Sequence, residues 1–206
     1  MAIIKDTLRP ELERIKAELK ALQNLKIHIG VQGNADSDIL MIAGVHEYGA
    51  TIRAKNVKNL AIPLTKEAEG KSPRDFQGLF FIRAKDSGNL FGVTDKGNDQ
   101  LNFLFLLLPS VTIPERSFIR ASYDNGKSKL AEACEAAINK IVFEQWNAKQ
   151  AAELIGERAT AMTQEYILKG IDPAKSDITM KTAKSGTPLY DSGRLYQSIT
   201  FEIEEG

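Results

Sequence analysis

The amino-acid sequence predicts an α+β fold in which a long N-terminal helix and two central helices pack on a mixed or antiparallel sheet. Apolar residues recur every three or four positions at the N-terminus and again between residues 117 and 169, which is the period of amphipathic helices. Apolar and polar residues alternate in the segments 25–31 and 199–204, which is the period of a β-strand. Helices at both ends of a run of strands, without regular strand–helix alternation, are typical of this class.

The N-terminal segment carries one apolar stripe whose members are three or four residues apart. The stripe consists of Leu8, Leu12, Ile15, Leu19 and Leu22. Charged residues occupy the other faces, so the segment is predicted to be an amphipathic helix. A strand follows at 25–31. The sequence GNADSD then supplies a turn and a helix cap, before a short helix that ends at Gly49.

Residues 53–110 are rich in strand patterns and are predicted to be an insertion within a single domain of residues 1–206. The sequence LAIPL at 60–64 is one candidate strand. The apolar runs LFFIRA and LFGV flank the turn sequence KDSGN, which predicts a β-hairpin. The run FLFLLL at 103–108 has no polar alternation, so it predicts a strand that is buried on both faces or that contacts another subunit.

The C-terminal half is predicted to contain two helices and a final strand. The first helix runs from Ser117 to about Trp146, and the second ends near Gly170. A turn-rich connector follows, and the alternation at 199–204 predicts the closing strand. An edge strand there would offer unpaired backbone groups to a neighbouring subunit.

The composition excludes some classes of function but does not identify one. The 206 residues are 43% hydrophobic, and Lys+Arg and Asp+Glu are equal at 27 each. Proteins that grip nucleic acid usually carry a basic excess, so tight DNA binding is disfavoured. The N-terminus becomes charged too early for a secretory signal, and no apolar run approaches the roughly 20 residues that span a bilayer. Residence in a cytoplasm and no membrane contact are therefore expected.

Residues for catalysis are scarce. The chain has two histidines and one cysteine, so an internal disulfide is impossible. His46 and Glu47 match the start of an HExxH zinc motif, but Ala50 stands where the second histidine is required. The Gly-containing loop at 30–38 lacks the lysine of a P-loop. We therefore expect no enzyme activity, no cofactor and no metal, and the alternative of another class is a metal-dependent hydrolase that uses His46 and Glu47.

Three short blocks carry a resemblance to a known family. They are GVHEYGATI at 44–52, VTIPERSFIR at 111–120 and TPLYDSGRLYQSITFEI at 187–203. In this order they resemble the virion-morphogenesis or tail-completion (neck) proteins of tailed bacteriophages, Mu-like and related. The matching residues are His46, Glu47, Tyr48, Gly49, Ile113, Pro114, Arg116, Phe118, Arg120, Pro188, Leu189, Gly193, Leu195, Ser198 and Ile199. Ser192 replaces the usual threonine and Ser117 replaces a frequent second proline.

The resemblance implies a structural subunit that forms a ring at the head-proximal end of the tail and joins the tail to the head. The implied partners are copies of itself, the tail tube or tail terminator, and the head connector proteins. DNA would pass through the lumen without sequence readout. The implied location is the virion, after assembly in the cytoplasm of a bacterial host. A head-closure or minor tail protein is the nearest alternative, and a regulatory binding module is a third.

The matching blocks also contain the candidate contact residues. Arg116 and Arg120 are four residues apart, so they are predicted to share one face of a helix, with Phe118 turned toward the core. The alternative for the first block is a helix end at which Tyr48 packs and Glu47 is solvated. Gly49, Pro114 and Gly193 are predicted to form structural turns. The candidate subunit-interface residues are His46, Glu47, Tyr48, Arg116, Arg120, Asp191, Arg194 and Ser198.

Overall fold

The computed structural model describes residues 8–98 and 100–206, except for the side chain of Lys181. The chain is α+β, as predicted, and the described strand pairs are antiparallel. In chain order the helices and strands are α1 (Leu8–Asn24), β1 (Leu25–Val31), α2 (Ser37–Tyr48), β2 (Ala50–Arg53), β3 (Leu60–Pro63), β4 (Phe80–Arg83), β5 (Leu90–Gly97), β6 (Gln100–Leu108), β7 (Ser110–Ile113), α3 (Ile119–Glu144), α4 (Ala148–Leu168), α5 (Asp177–Thr182), α6 (Arg194–Gln197) and β8 (Ile199–Glu205).

The chain divides into two compact units, each built from separate stretches of sequence. The helical unit comprises residues 8–43, 117–169 and 193–206 of the described chain. The strand-rich unit comprises residues 44–116 and 170–192, so it contains the whole of the predicted insertion. The prediction that residues 1–206 form a single domain stays a prediction.

In the helical unit, α1 packs on the antiparallel pair α3 and α4 through the C-terminal half of its apolar stripe. Leu19 and Leu22 contact a core that contains Ala137, Ile141 and Ala151. The first half of the stripe is exposed, since Leu8 keeps 75% and Leu12 keeps 55% of its accessible surface. Only part of the predicted amphipathic helix is therefore covered by its own unit.

The strands β1 and β8 form a two-stranded antiparallel sheet that packs on α4. Their register pairs Leu25 with Glu205 and Val31 with Ile199. The apolar face of β8 lies directly on α4 at Gly156, where an added Cβ would overlap the ring of Phe201. Gly156 therefore sets the close approach of the closing strand, which lies where the sequence predicted it.

In the strand-rich unit, a four-stranded sheet has the order β3-β6-β5-β4. The predicted hairpin is confirmed, because β4 and β5 pair antiparallel from Phe80 opposite Val93 to Arg83 opposite Leu90. The apolar run of β6 is buried at its centre, from Leu104 to Leu106. Among the core contacts, the ring of Phe105 meets the ring of Phe76 edge-on at 5.6 Å between centroids.

Candidate functional site

The first two sequence blocks meet at the end of α2. Gly49 has a φ of +70°, a left-handed value that favours glycine. A Cβ at this position would lie 3.0 Å from the backbone nitrogen of Glu115 and 3.3 Å from the backbone oxygen of Ile113. Glycine is therefore required both to end α2 and to let β2 pair with β7, whose register starts with Ala50 opposite Ile113.

Arg116 joins the second block to two other parts of the strand-rich unit. Its backbone N–H donates to the carbonyl oxygen of His46 at 2.7 Å. Its guanidinium donates from Nε to the carbonyl oxygen of Pro173 at 2.6 Å and from Nη2 to that of Ala174 at 2.9 Å. Arg116 keeps 7% of its accessible surface. A buried guanidinium is tolerated only where its donors find acceptors, and here the acceptors are main-chain carbonyls.

Lys175 and Asp191 continue this arrangement toward the third block. Lys175 Nζ donates to the carbonyl oxygen of Ser185 at 2.7 Å and lies 3.5 Å from Asp191 Oδ1. The backbone N–H of Lys184 donates to the same carboxylate at 2.7 Å. Burial raises the pKa of Asp191, but the Lys184 hydrogen bond and the charge of Lys175 outweigh it and hold that pKa below its usual value. We call His46, Arg116, Lys175 and Asp191 the clasp.

His46 is half-buried within the clasp and is neutral at neutral pH. Burial lowers the pKa of its imidazole, and the positive charges of Arg116 and Lys175 lower that pKa further. Its Nδ1 is buried, with no hydrogen-bond partner among the described residues. Two cationic neighbours disfavour a bound cation at this imidazole. Within residues 8–98 and 100–206, no group of three or more His, Cys, Asp or Glu side chains is arranged to hold a metal ion.

The prediction that Arg116 and Arg120 share a helical face is wrong. Helix α3 begins at Ile119, so Arg116 precedes it, and Arg116 is buried whereas Arg120 is exposed. The carbonyl acceptors at Pro173 and Ala174 explain the difference, because they hold the Arg116 guanidinium inside the strand-rich unit. Phe118 is fully buried, in agreement with the prediction.

The first block also differs from the alternative in which Tyr48 packs and Glu47 is solvated. Glu47 keeps 4% of its accessible surface and Tyr48 keeps 70%. Glu47 and Arg116 are thus interior residues of the chain itself, which removes both from the candidate subunit interface. Tyr48 and Arg120 stay as candidates on the surface.

The remaining candidates from the third block lie in the helical unit around α6. Gly193, with a φ of +79°, caps the start of α6. Arg194 Nη2 donates to Asp36 Oδ2 at 3.0 Å, and the Ser198 hydroxyl donates to the carbonyl oxygen of Arg194 at 2.7 Å. These hydrogen bonds stabilise the turn that leads into β8, and both side chains of the Arg194–Asp36 pair are more than half exposed.

Two features escaped the sequence analysis. The role of Lys175 had no local signal in the sequence, because its partners are 10 and 16 residues away in a turn-rich segment.

The second feature is an apolar groove of about 470 Å³ in the helical unit. Its lining includes Ile27, Ile29, Ile119, Tyr123, Ile155 and Met162. The alternation in β1 predicted an apolar face, but only the packing reveals that this face is left partly uncovered.

No protein-family model, curated protein or solved structure matches this chain. None of the described helices is both long enough and apolar enough to cross a membrane.

Proposed function

We propose that this chain is a structural subunit of a tailed bacteriophage, a tail-completion (neck) protein that forms a ring at the head-proximal end of the tail. The observation that carries the proposal is the convergence of the three blocks that resemble this family. His46 from the first block, Arg116 from the second and Asp191 from the third belong to one clasp, which Lys175 completes. The three blocks, which are far apart in sequence, thus each contribute a residue to the clasp.

The chemistry of the clasp supports a structural use of these residues. Arg116 and Lys175 donate to backbone carbonyls, and Asp191 accepts from a backbone N–H. Such bonds fix the path of the main chain, whereas a catalytic group must reach a substrate in an accessible site. The equal numbers of basic and acidic residues support a lumen through which DNA passes without sequence readout.

The surface residues Tyr48 and Arg120 are the contacts we propose for the neighbouring neck, tail-terminator or head-connector proteins. Tyr48 is a large exposed aromatic residue next to the clasp, and tyrosine and arginine are enriched among the residues that dominate binding energy at interfaces. A head-closure or minor tail protein remains the alternative within the same class.

The experiment is deletion of the gene in its phage, followed by complementation in trans. Without the chain, heads should fill with DNA and tails should polymerise, but the two should stay separate in lysates viewed by electron microscopy. Complementation with Tyr48→Glu combined with Arg120→Glu should fail to restore joining, because new charges at an interface cost several kcal/mol. Lys149→Glu, an exposed change on α4, is the matched control and should restore joining.

The other outcomes are informative. Empty heads after deletion would favour the head-closure alternative, and absent tails would favour a role in tube assembly. Normal infectious particles without the chain would overturn the proposal.

A further inference from the structure

The outer face of the β1–β8 sheet carries opposite charges on its two strands. The exposed residues of β1 include Lys26 and His28, and those of β8 include Glu202 and Glu204. The register places Lys26 opposite Glu204 and His28 opposite Glu202. His28 Nε2 also lies 2.9 Å from Glu204 Oε2. The exposed face of β8 is therefore acidic, and that of β1 carries the cation Lys26 together with His28, which is charged only when protonated.

Each of these strands has a second edge at which no described strand pairs. The sheet contains β1 and β8 only, over the residues that the structure describes, and each strand is seven residues long. A free edge presents unpaired N–H and C=O groups and is a template for another strand. Over the described residues, both outer edges are therefore candidates for pairing between copies of the chain.

The charges determine which edges can pair. Pairing of β1 with β1 of a second copy would bring together two strands whose exposed charged residue is Lys26, with no acidic partner on either. Pairing of β8 with β8 would set Glu202 and Glu204 against the same acidic residues. Like charges directly opposite destabilise a sheet, whereas opposite charges stabilise it. Pairing of β1 with β8 of the second copy is the arrangement that brings the basic strand against an acidic one.

The apolar groove provides the additional contact area that such a pairing needs. Stable interfaces bury roughly 1,200–2,000 Å², more than backbone pairing along one short strand is expected to supply. The sheet residues that line the groove, Ile27 and Ile29, both come from β1. The groove therefore adjoins the strand to which a partner would add. On β8, the ring of Phe201 already packs on α4 of its own copy at Gly156, whereas Ile203 is partly exposed and keeps apolar surface that can cover the groove.

We propose that copies of this chain associate head to tail, with the free edge of β8 from one copy added to the free edge of β1 of the next. Ile203 of the added strand contributes to covering the groove of the receiving copy. A contact between two different surfaces repeats, so it generates a closed ring or a filament. Closure into a ring rests on the proposed function, but the pairing of β1 with β8 does not.

The test is a charge exchange between the strands. A variant with Lys26→Glu, His28→Glu, Glu202→Lys and Glu204→Lys keeps opposite charges within each chain and between identical copies. The exchanged variant should therefore fold and self-associate like the original chain. In an equal mixture, however, a basic β1 meets a basic β8 and an acidic β1 meets an acidic β8. Native mass spectrometry of the mixture, with one chain carrying a mass tag, should show mixed complexes reduced about tenfold relative to unmixed ones.

Each other result contradicts the proposal. A preference for mixed complexes would mean that identical edges pair, β1 with β1 or β8 with β8. Mixed and unmixed complexes in statistical proportion would place the contact elsewhere, and a chain that stays monomeric at the highest attainable concentration would exclude the pairing. Head–tail joining in lysates is measured with the original chain and does not depend on the mixing experiment. A failure of the β1–β8 pairing can therefore be told apart from a failure of the proposed function.

Discussion

Arg116 shows how a single side chain determines the path of a segment far away in sequence. Its guanidinium binds carbonyl oxygens 57 and 58 residues further along the chain, inside the same compact unit. Hydrogen bonds that involve a charged group contribute about 1.5–3 kcal/mol, and their loss leaves buried acceptors without donors. The contribution of Arg116 is therefore to the stability of the strand-rich unit.

We predict that Arg116→Ala lowers the free energy of unfolding by about 2–4 kcal/mol. The matched control is Arg120→Ala, an exposed arginine that should cost no more than about 1 kcal/mol. Urea unfolding of the two variants measures both values. Equal losses would contradict the assignment of Arg116 to a buried clasp.

His46 should make the stability of the chain depend on pH. Its pKa is lowered in the folded state, so between the folded value and the unfolded value of about 6.5 the unfolded state binds more protons. Stability should therefore fall as pH falls through this window, and stop falling below the folded pKa. The lowered pKa of Asp191 affects stability only at pH values near and below about 3.9, the ordinary pKa of an aspartate. That range lies outside the window in which His46 acts.

The measurement is the thermal midpoint of the original chain and of His46→Gln at several values between about pH 7.5 and pH 5. We expect the midpoint of the original chain to fall with pH more steeply than that of the variant. Parallel curves for the two proteins would mean that His46 does not cause the dependence.

At the scale of elements, the two glycines near the end of α2 should respond in opposite directions to alanine. Gly49→Ala forces a left-handed φ on a residue with a Cβ and brings that atom against the backbone of Glu115, so it should cost about 2 kcal/mol or more. Gly44 lies within α2, and a Cβ there would meet no atom within 4 Å. Gly44→Ala should therefore stabilise the chain by about 0.5–1 kcal/mol. Denaturant unfolding that shows the same sign for both would contradict this account of how α2 ends.

Most elements were predictable from the sequence because their signals are local. The period of α1, the alternation of β8, the turn between β4 and β5 and the glycine at the end of α2 each lie within a short window. The start of α3 at Ile119 lies close to the predicted start at Ser117. The burial of Arg116 was not predictable in this way, because its acceptors at Pro173 and Ala174 are far away in sequence.

At the scale of the whole molecule, the three blocks coincide with places where the chain passes between its two compact units. The chain passes from one unit to the other after residues 43, 116, 169 and 192. The first block begins at residue 44, the second contains the step after 116, and the third contains the step after 192. At the step after residue 192 the chain turns at Gly193, which has a left-handed φ of +79°, whereas the step after residue 43 falls within α2. This organisation depends on contacts across the whole sequence, so no local pattern could have predicted it.

The most direct test of the proposed function is the position of this chain in an assembled particle. Cryo-electron microscopy of tails purified from its phage should find the chain as a closed ring at the head-proximal end, in contact with the tail terminator or the head connector. Within that ring, β8 of each subunit should pair with β1 of the next. Density for this chain along the tail tube, in the baseplate or on the head shell, with none at the neck, would contradict the account.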